Sequence, residues 1–211
     1  DSSEKFLACL EQLERNTREL QEQTMSIRML PVDNTFQRIP RIVHDLSIAQ
    51  GKQVALEFSG ETTELDKTVL EKIGDPLVHL VRNALDHGIE TPDIRTSKGK
   101  PEKGTIKINA SHEGGYVILR ISDDGNGINS DKLLATAIER NLVTDGEELS
   151  ASQIQNLIFL PGLSTSNEVS DISGRGVGMD VVKRNISDLG GTVEVWSEQG
   201  IGSTFTIRLP L

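Results

Sequence analysis

The sequence predicts an α/β (α+β) fold: a two-layer sandwich of a mixed, largely antiparallel sheet with helices on one face, preceded by a long coiled-coil-like helix. Three observations predict it. Two pairs of alternating segments, 105–110 with 116–122 and 192–197 with 203–209, are joined by short glycine turns, Gly114-Gly115 and Gly200-Ile201-Gly202, as antiparallel hairpins are. Regular strand–helix–strand alternation is missing, which argues against a doubly wound parallel sheet. Residues 3–30 contain no Gly or Pro, and Phe6, Leu10, Leu13, Thr17, Leu20, Thr24 and Ile27 recur alternately four and three apart, a heptad seam weakened by its threonines.

The elements follow in order. The seam helix stops at Pro31. Residues 32–50 are helical again, with Pro40 as a kink or break and Gly51 as the end. Val54, Leu56 and Phe58 alternate as a strand. Leu65 to Asp86 reads as one or two helices, with Pro76 near a helix start. After the first hairpin comes a helix over 130–140. A long polar stretch, 141–173, surrounds a short apolar helix from Ile154 to Leu160, and a helix over 178–189 leads into the last hairpin.

Composition bounds what such a chain can do. The 211 residues fit one full domain plus an extra element. Apolar residues make up 36% and aromatics 3%, so aliphatic side chains must fill the core. The net charge of −10 repels a nucleic-acid backbone. A pocket for a phosphorylated ligand must therefore draw positive potential from backbone N–H groups, a metal and a few basic side chains. Cys9 is the single cysteine, which excludes a disulfide within the chain and suits a reducing cytoplasm. No apolar run is long enough to span a membrane, and no leader pattern opens the chain. The abrupt helical start suggests a piece of a longer protein.

Three separated segments carry chemistry. In His79-Leu80-Val81-Arg82-Asn83-Ala84-Leu85-Asp86-His87-Gly88, the residues His79, Asn83 and His87 fall four apart and share one helical face. Asn83 offers a hard amide oxygen suited to Mg²⁺, which takes few protein ligands and keeps water and phosphate oxygens for the rest. The histidines can donate to phosphate or accept a proton. Taken alone, this face could equally meet solvent. In Ile121-Ser122-Asp123-Asp124-Gly125-Asn126-Gly127-Ile128 a strand runs into two glycines. An Asp at that strand end can accept from an exocyclic amine, although an ordinary Asp-Gly turn has the same look. An EF-hand would need a Glu where Leu134 stands. Gly174-Arg175-Gly176-Val177-Gly178-Met179 opens a helix and presents N–H groups to phosphate, or is simply a hinge. It lacks the Lys-Ser/Thr of a P-loop and the strand of a Rossmann turn.

In this order and spacing, the three segments resemble the GHKL (Bergerat-type) ATPase superfamily of gyrase-type topoisomerases, heat-shock chaperones, mismatch-repair ATPases and histidine kinases. Within it, His79–Asn83 with Asp86-His87-Gly88-Ile89, and Gly174–Met179 followed by Asp180-Val181-Val182, resemble the chemotaxis-type histidine kinases. Phe159-Leu160-Pro161-Gly162-Leu163-Ser164-Thr165-Ser166 is similar to their phenylalanine box. The resemblance implies binding of ATP with Mg²⁺ and transfer of the γ-phosphoryl to a histidine on a separate phosphotransfer domain. It implies Asn83 and His87 at the metal, and His79, where related kinases place a proton acceptor, joins them as the catalytic set. Asp123 would bond the adenine amine, with Gly125 and Gly127 allowing close approach beside Ile128 and Thr204 supporting the carboxylate. Asp86, Gly174, Arg175, Gly176, Val177, Gly178 and Met179 complete the nucleotide contacts, with Lys183 as a further charge partner and 141–173 as a lid.

The same resemblance divides the chain into a partial dimerisation helix (1–31), a connector (32–50) and the ATP-binding kinase domain (51–211). It also implies, for the full protein, a homodimer with an adaptor protein, chemoreceptors and response regulators as partners. The setting would be cytoplasmic, at receptor arrays, without nucleic acid or direct membrane insertion. His44 and His112 are expected at the surface or as satisfied structural residues, outside any acceptor role. Two alternatives remain. One is another GHKL ATPase, although those carry a Glu as base where His79 stands. The other is a nucleotide-sensing module without phosphotransfer.

Overall fold

The computed structural model describes residues 2–144, 146–163 and 178–211. Helix α1 (Ser2–Arg28) leads into strand β1 (Met29–Pro31), helices α2 (Asp33–Phe36) and α3 (Ile39–Ala49), and strands β2 (Val54–Ser59) and β3 (Glu64–Asp66). Helix α4 (Lys67–Asn83) continues into a π turn (Ala84–Gly88), followed by α5 (Pro92–Ser97), β4 (Gly104–Glu113) and β5 (Tyr116–Asp123). Then come α6 (Ser130–Glu139), α7 (Ala151–Asn156) with a 3-10 turn (Leu157–Phe159), α8 (Met179–Ser187), β6 (Thr192–Glu198) and β7 (Gly202–Pro210).

Among the described residues the main sheet has five strands in the order β2-β4-β5-β7-β6. Only β2–β4 is parallel there; β4–β5, β5–β7 and β6–β7 are antiparallel. The two glycine-turn hairpins are thus adjacent, and β5 and β7 join them at the sheet centre. Side chains alternate across each strand. Ile106, Ile108, Leu119, Ile121, Val195, Phe205 and Ile207 point into the core beneath α4 and α8, which supply Ile73, Leu77, Leu80, Val182 and Ile186. The other face carries Lys107, Glu194 and the half-exposed Trp196. The result is the two-layer sandwich with helices on one face.

Three local features differ from the sequence reading. The seam helix ends at Arg28, because β1 pairs antiparallel with β3 and sets Leu30 against Leu65; the residues before Pro31 are disfavoured in helix. Pro76 lies inside α4 rather than at a helix start. A mid-helix proline costs about 3 kcal/mol. Burial of Leu70, Ile73, Leu77, Leu80 and Val81 on the same helix, at roughly 1.5–3 kcal/mol each, outweighs that. Helix α5 is an additional element in the 91–103 stretch. Pro40 marks a break, standing in the first turn of α3. Val32, Phe36, Ile39 and Val43 of the 32–50 segment enter the main core, with Phe36 stacked on Phe58 at 5.4 Å. On α1, Phe6, Leu7, Leu10, Leu13 and Leu20 are exposed, while the side chains of Thr24 and Ile27 lie outside the described set.

Candidate functional site

A cavity of about 310 Å³ opens between the C-terminal half of α4, the β5–β7 edge, α6 and the start of α8. His79, Asn83, His87 and Gly88 line it from the first segment, Asp123, Gly127 and Ile128 from the second, and Met179 from the third. Segments far apart in sequence therefore share one cleft.

The first wall depends on a change of helical pitch. After Asn83 the α-helix widens into a π turn, closed by the Ile89 N–H donating to the Ala84 carbonyl at 2.7 Å. Such turns often occur at functional sites. The equal four-residue spacing of His79, Asn83 and His87 thus spans two pitches, yet all three still reach the cavity. Asn83 Nδ2 faces Met179 Sδ at 2.7 Å, tying this wall to α8. Burial, with the charge of Arg82 adding to it, holds the His79 imidazole below its ordinary pKa, so this ring is neutral at physiological pH. Asp86 is exposed, accepts from Gln50 Nε2 and does not line the cavity.

The second wall centres on Asp123, the last residue of β5. Burial pushes its carboxyl up to about 6, despite hydrogen bonds from the Gly125 and Ser203 N–H groups; the neighbouring Asp124 charge also raises it. Its Oδ1 accepts from the Gly125 N–H at 2.9 Å. The expected support from Thr204 is corrected. Register sets Asp123 opposite Ser203 and Ser122 opposite Thr204, so Thr204 points to the other face of the sheet and donates to Ser122 Oγ at 2.9 Å. Ser203 lines the cavity in its place. The two glycines also meet protein backbone closely. A Cβ on Gly125 would stand 2.2 Å from the Gly88 carbonyl, and one on Gly127, at φ +69°, 2.3 Å from the Glu198 carbonyl. In the described chain their small size serves the close approach of protein backbone, and Gly125 itself does not line the cavity.

Gly174, Arg175, Gly176 and Val177 lie outside the described residues, as do Ser164 to Ser166 of the phenylalanine box. Gly178 is the N-cap of α8 and does not line the cavity. Lys183 Nζ sits 5.7 Å over the Phe159 ring, away from the cavity lining. Phe159 is buried edge-on against Phe205 at 6.3 Å. The described part of 141–163 includes α7, whose Gln155 brackets the Ser197 backbone: its Nε2 donates to the Ser197 carbonyl and its Oε1 accepts the Ser197 N–H. His44 and His112 are exposed.

Several cavity residues were given no site role in the sequence reading: Asn129, Lys132, Leu133 and Thr136 on or capping α6, with Ile158, Leu163, Ser203 and Phe205. The usable signal was the amphipathic period of 130–140, which places Lys132 and Thr136 four apart on one face. Among the described residues no cluster of three or more His, Cys, Asp or Glu could hold a metal. An ion in this cavity would therefore be held mainly by ligand oxygens and water, with the Asn83 amide oxygen as the hard protein donor present.

Residues 72–211 match the histidine kinase-, DNA gyrase B- and HSP90-like ATPase family. The chain is 50% identical over 206 residues to chemotaxis protein CheA of Salmonella typhimurium, covering 98% of this chain and 31% of that protein. It is 49% identical over 206 residues to CheA of Bacillus subtilis, covering 95% and 31%. With the sensor histidine kinase CheAY of Helicobacter pylori it shares 46% identity over 214 residues, covering 99% and 27%. The chain thus spans about a third of the length of these curated relatives. Among solved structures, the catalytic domain of the histidine kinase ThkA superposes with a TM-score of 0.55 at 17% identity, covering 86% of this chain and 93% of that one. The histidine kinase domain of the Erythrobacter litoralis EL346 blue-light activated histidine kinase gives 0.51 at 17% identity, covering 86% and 62%. These structures share the fold.

Proposed function

This chain belongs to the histidine kinase-, DNA gyrase B- and HSP90-like ATPase family, with an ATP-binding domain of the CheA type, and from that premise we propose that it binds Mg²⁺-ATP in the described cleft and passes the γ-phosphoryl to a histidine on a separate phosphotransfer domain during chemotaxis signalling. The observation that carries this reading is the convergence of His79, Asn83, His87, Asp123 and Met179 on one cavity. In it, Asp123 accepts from the adenine amine at the buried end. Asn83 and His87 would hold Mg²⁺, whose charge would offset that of the phosphates. Lys132 at the rim supplies a positive side chain. Neutral His79 is able to take a proton from the incoming imidazole. Phosphoryl transfer asks mainly for positioning and charge neutralisation; the amide and imidazole groups of this wall serve the first, and Lys132 with the metal would serve the second.

Residues 1–31 serve as part of a dimerisation helix, 32–50 as its connection and 51–211 as the kinase domain. Gly174 to Gly178 close on the phosphates, and the 141–173 stretch acts as the lid. In the full protein, a homodimer works with an adaptor, chemoreceptors and response regulators in the cytoplasm. Among the described residues no helix is long and apolar enough to cross a membrane. Labelled ATP and a purified phosphotransfer domain, mixed with this chain, test the proposal. Label on the acceptor histidine supports it, whereas ATP uptake without transfer reduces the chain to a sensor.

A further inference from the structure

Behind the cleft lies a polar cluster that the proposed chemistry does not use. Its centre is Arg95 of α5, 0% exposed. The guanidinium donates to Glu90 Oε2 at 3.2 Å, to Asp124 Oδ2 at 2.9 Å, to the Asp124 carbonyl at 3.2 Å and, through Nε, to the Pro101 carbonyl at 2.7 Å. Lys100 Nζ reaches the Asp124 and Gly125 carbonyls at 2.8 and 2.5 Å. Lys98 Nζ donates to Asn126 Oδ1 at 2.8 Å and to Glu90 Oε1 at 3.3 Å. Burial pushes the Glu90 carboxyl up, but its own N–H and the Lys98 and Lys100 contacts outweigh that and hold it below the ordinary range. Glu90 is therefore an anion inside the protein.

Such a cluster is a poor way to gain stability. Well-packed apolar side chains of similar volume often serve as well or better than a buried ion pair. What the charges add is direction. Glu90 follows Gly88 by two residues, and Asp124 adjoins Asp123, so Arg95 spans the ends of the two cleft-lining segments. On the cleft side these segments touch without slack. The Asn126 N–H donates to the Gly88 carbonyl at 2.8 Å, and a Cβ on Gly88 would stand 2.9 Å from Asp123 Oδ1. The Thr105 N–H donates to Asp124 Oδ1 at 2.8 Å, fixing the same loop to β4. The loop is thus clamped from β4, from α5 and from the π turn.

We propose that Arg95 is a positioning residue for purine recognition, a buried brace that fixes the Asp123 carboxylate relative to the His79–Gly88 wall and so sets the preference for a base carrying an exocyclic amine. Lys100 holds the same loop from its backbone. The inference rests on reading Asp123 as the purine contact. Arg95→Lys keeps the charge but loses the planar fork that bridges Glu90 and Asp124. Lys100→Met removes a partly exposed cation and leaves Arg95 in place.

Calorimetric binding of ATP and of inosine triphosphate to the full chain tests this, because the two share sugar and phosphates and differ at the amine position. The wild-type chain should prefer ATP. Arg95→Lys should weaken ATP about tenfold, near 1.4 kcal/mol, and leave inosine triphosphate unchanged, so that the preference collapses. Lys100→Met should narrow the same ratio by a smaller factor. Parallel weakening of both nucleotides, or an unchanged ratio, overturns the brace and leaves Arg95 a structural residue. Should Arg95→Lys fail to fold, the ratio in Lys100→Met decides alone. A wild-type chain that binds both nucleotides equally overturns the reading of Asp123 itself, and one that binds neither overturns the proposed function.

Discussion

At neutral pH the Asp123 carboxylate is ionised in a place that disfavours charge. Its folded pKa of about 6 stands above the ordinary 3.8, so between these values the folded chain holds the proton more tightly than the unfolded one. Stability from this group therefore falls as pH rises through that window, and above it the ionised form costs on the order of 3 kcal/mol. Asp123→Asn should raise the melting temperature by several degrees at pH 8 and by little at pH 4. An equal shift at both values would refute the burial account. The same substitution should remove ATP binding, and the wild-type affinity should weaken as pH drops below about 6. Asn83→Ala should leave far-UV circular dichroism unchanged and reduce phosphotransfer by about 100-fold or more. Retained transfer would place the metal ligand elsewhere. The chemical types of His79, Asn83, His87 and Asp123 were legible in the sequence because each sits in a short local motif. Thr204 was misplaced and Ser203 missed because the two differ only in strand parity, which the β5–β7 register fixes.

Elements decide how those side chains are held. The paired Gln155–Ser197 hydrogen bonds fasten α7 to the edge strand β6, and Ser197 Oγ in turn contacts Ser203 Oγ at 2.9 Å and accepts the Ile128 N–H at 2.8 Å. Gln155→Ala leaves the buried Ser197 N–H and carbonyl without that partner, a loss of about 1–3 kcal/mol. Amide hydrogen exchange at Ser197 should accelerate, and the α7 amides should follow. Protection at the wild-type level would show that α7 is held by its apolar contacts instead. Hairpins and long helices were readable from alternation, glycine turns and the 3.6-residue period. The π turn, α5 and the β1–β3 pair were not, since each is short and owes its form to contacts with distant chain.

At the scale of the whole molecule, the long helix and the ATP-binding fold meet different conditions. Among the described residues the main core begins at Val32, while the apolar residues of α1 that are described face outward. Arg28 alone ties the end of α1 to Asp66, at 3.3 Å, and to Thr68, at 2.6 Å, in the described contacts. Removing residues 1–28 should thus leave the melting temperature within a few degrees and ATP affinity unchanged. Sedimentation should then show loss of any self-association carried by the seam. A truncated chain that unfolds would place α1 in the core instead. The sequence by itself determined the hairpins and the one-sided sandwich, because propensity, period and charge act over a few neighbours. Tertiary structure alone decided that Ser203 and not Thr204 faces Asp123, that Lys132 joins the cleft and that Arg95 is buried behind it. Strand register and buried ion pairing are settled between segments far apart in the chain, where only the closing of the fold brings their partners within reach.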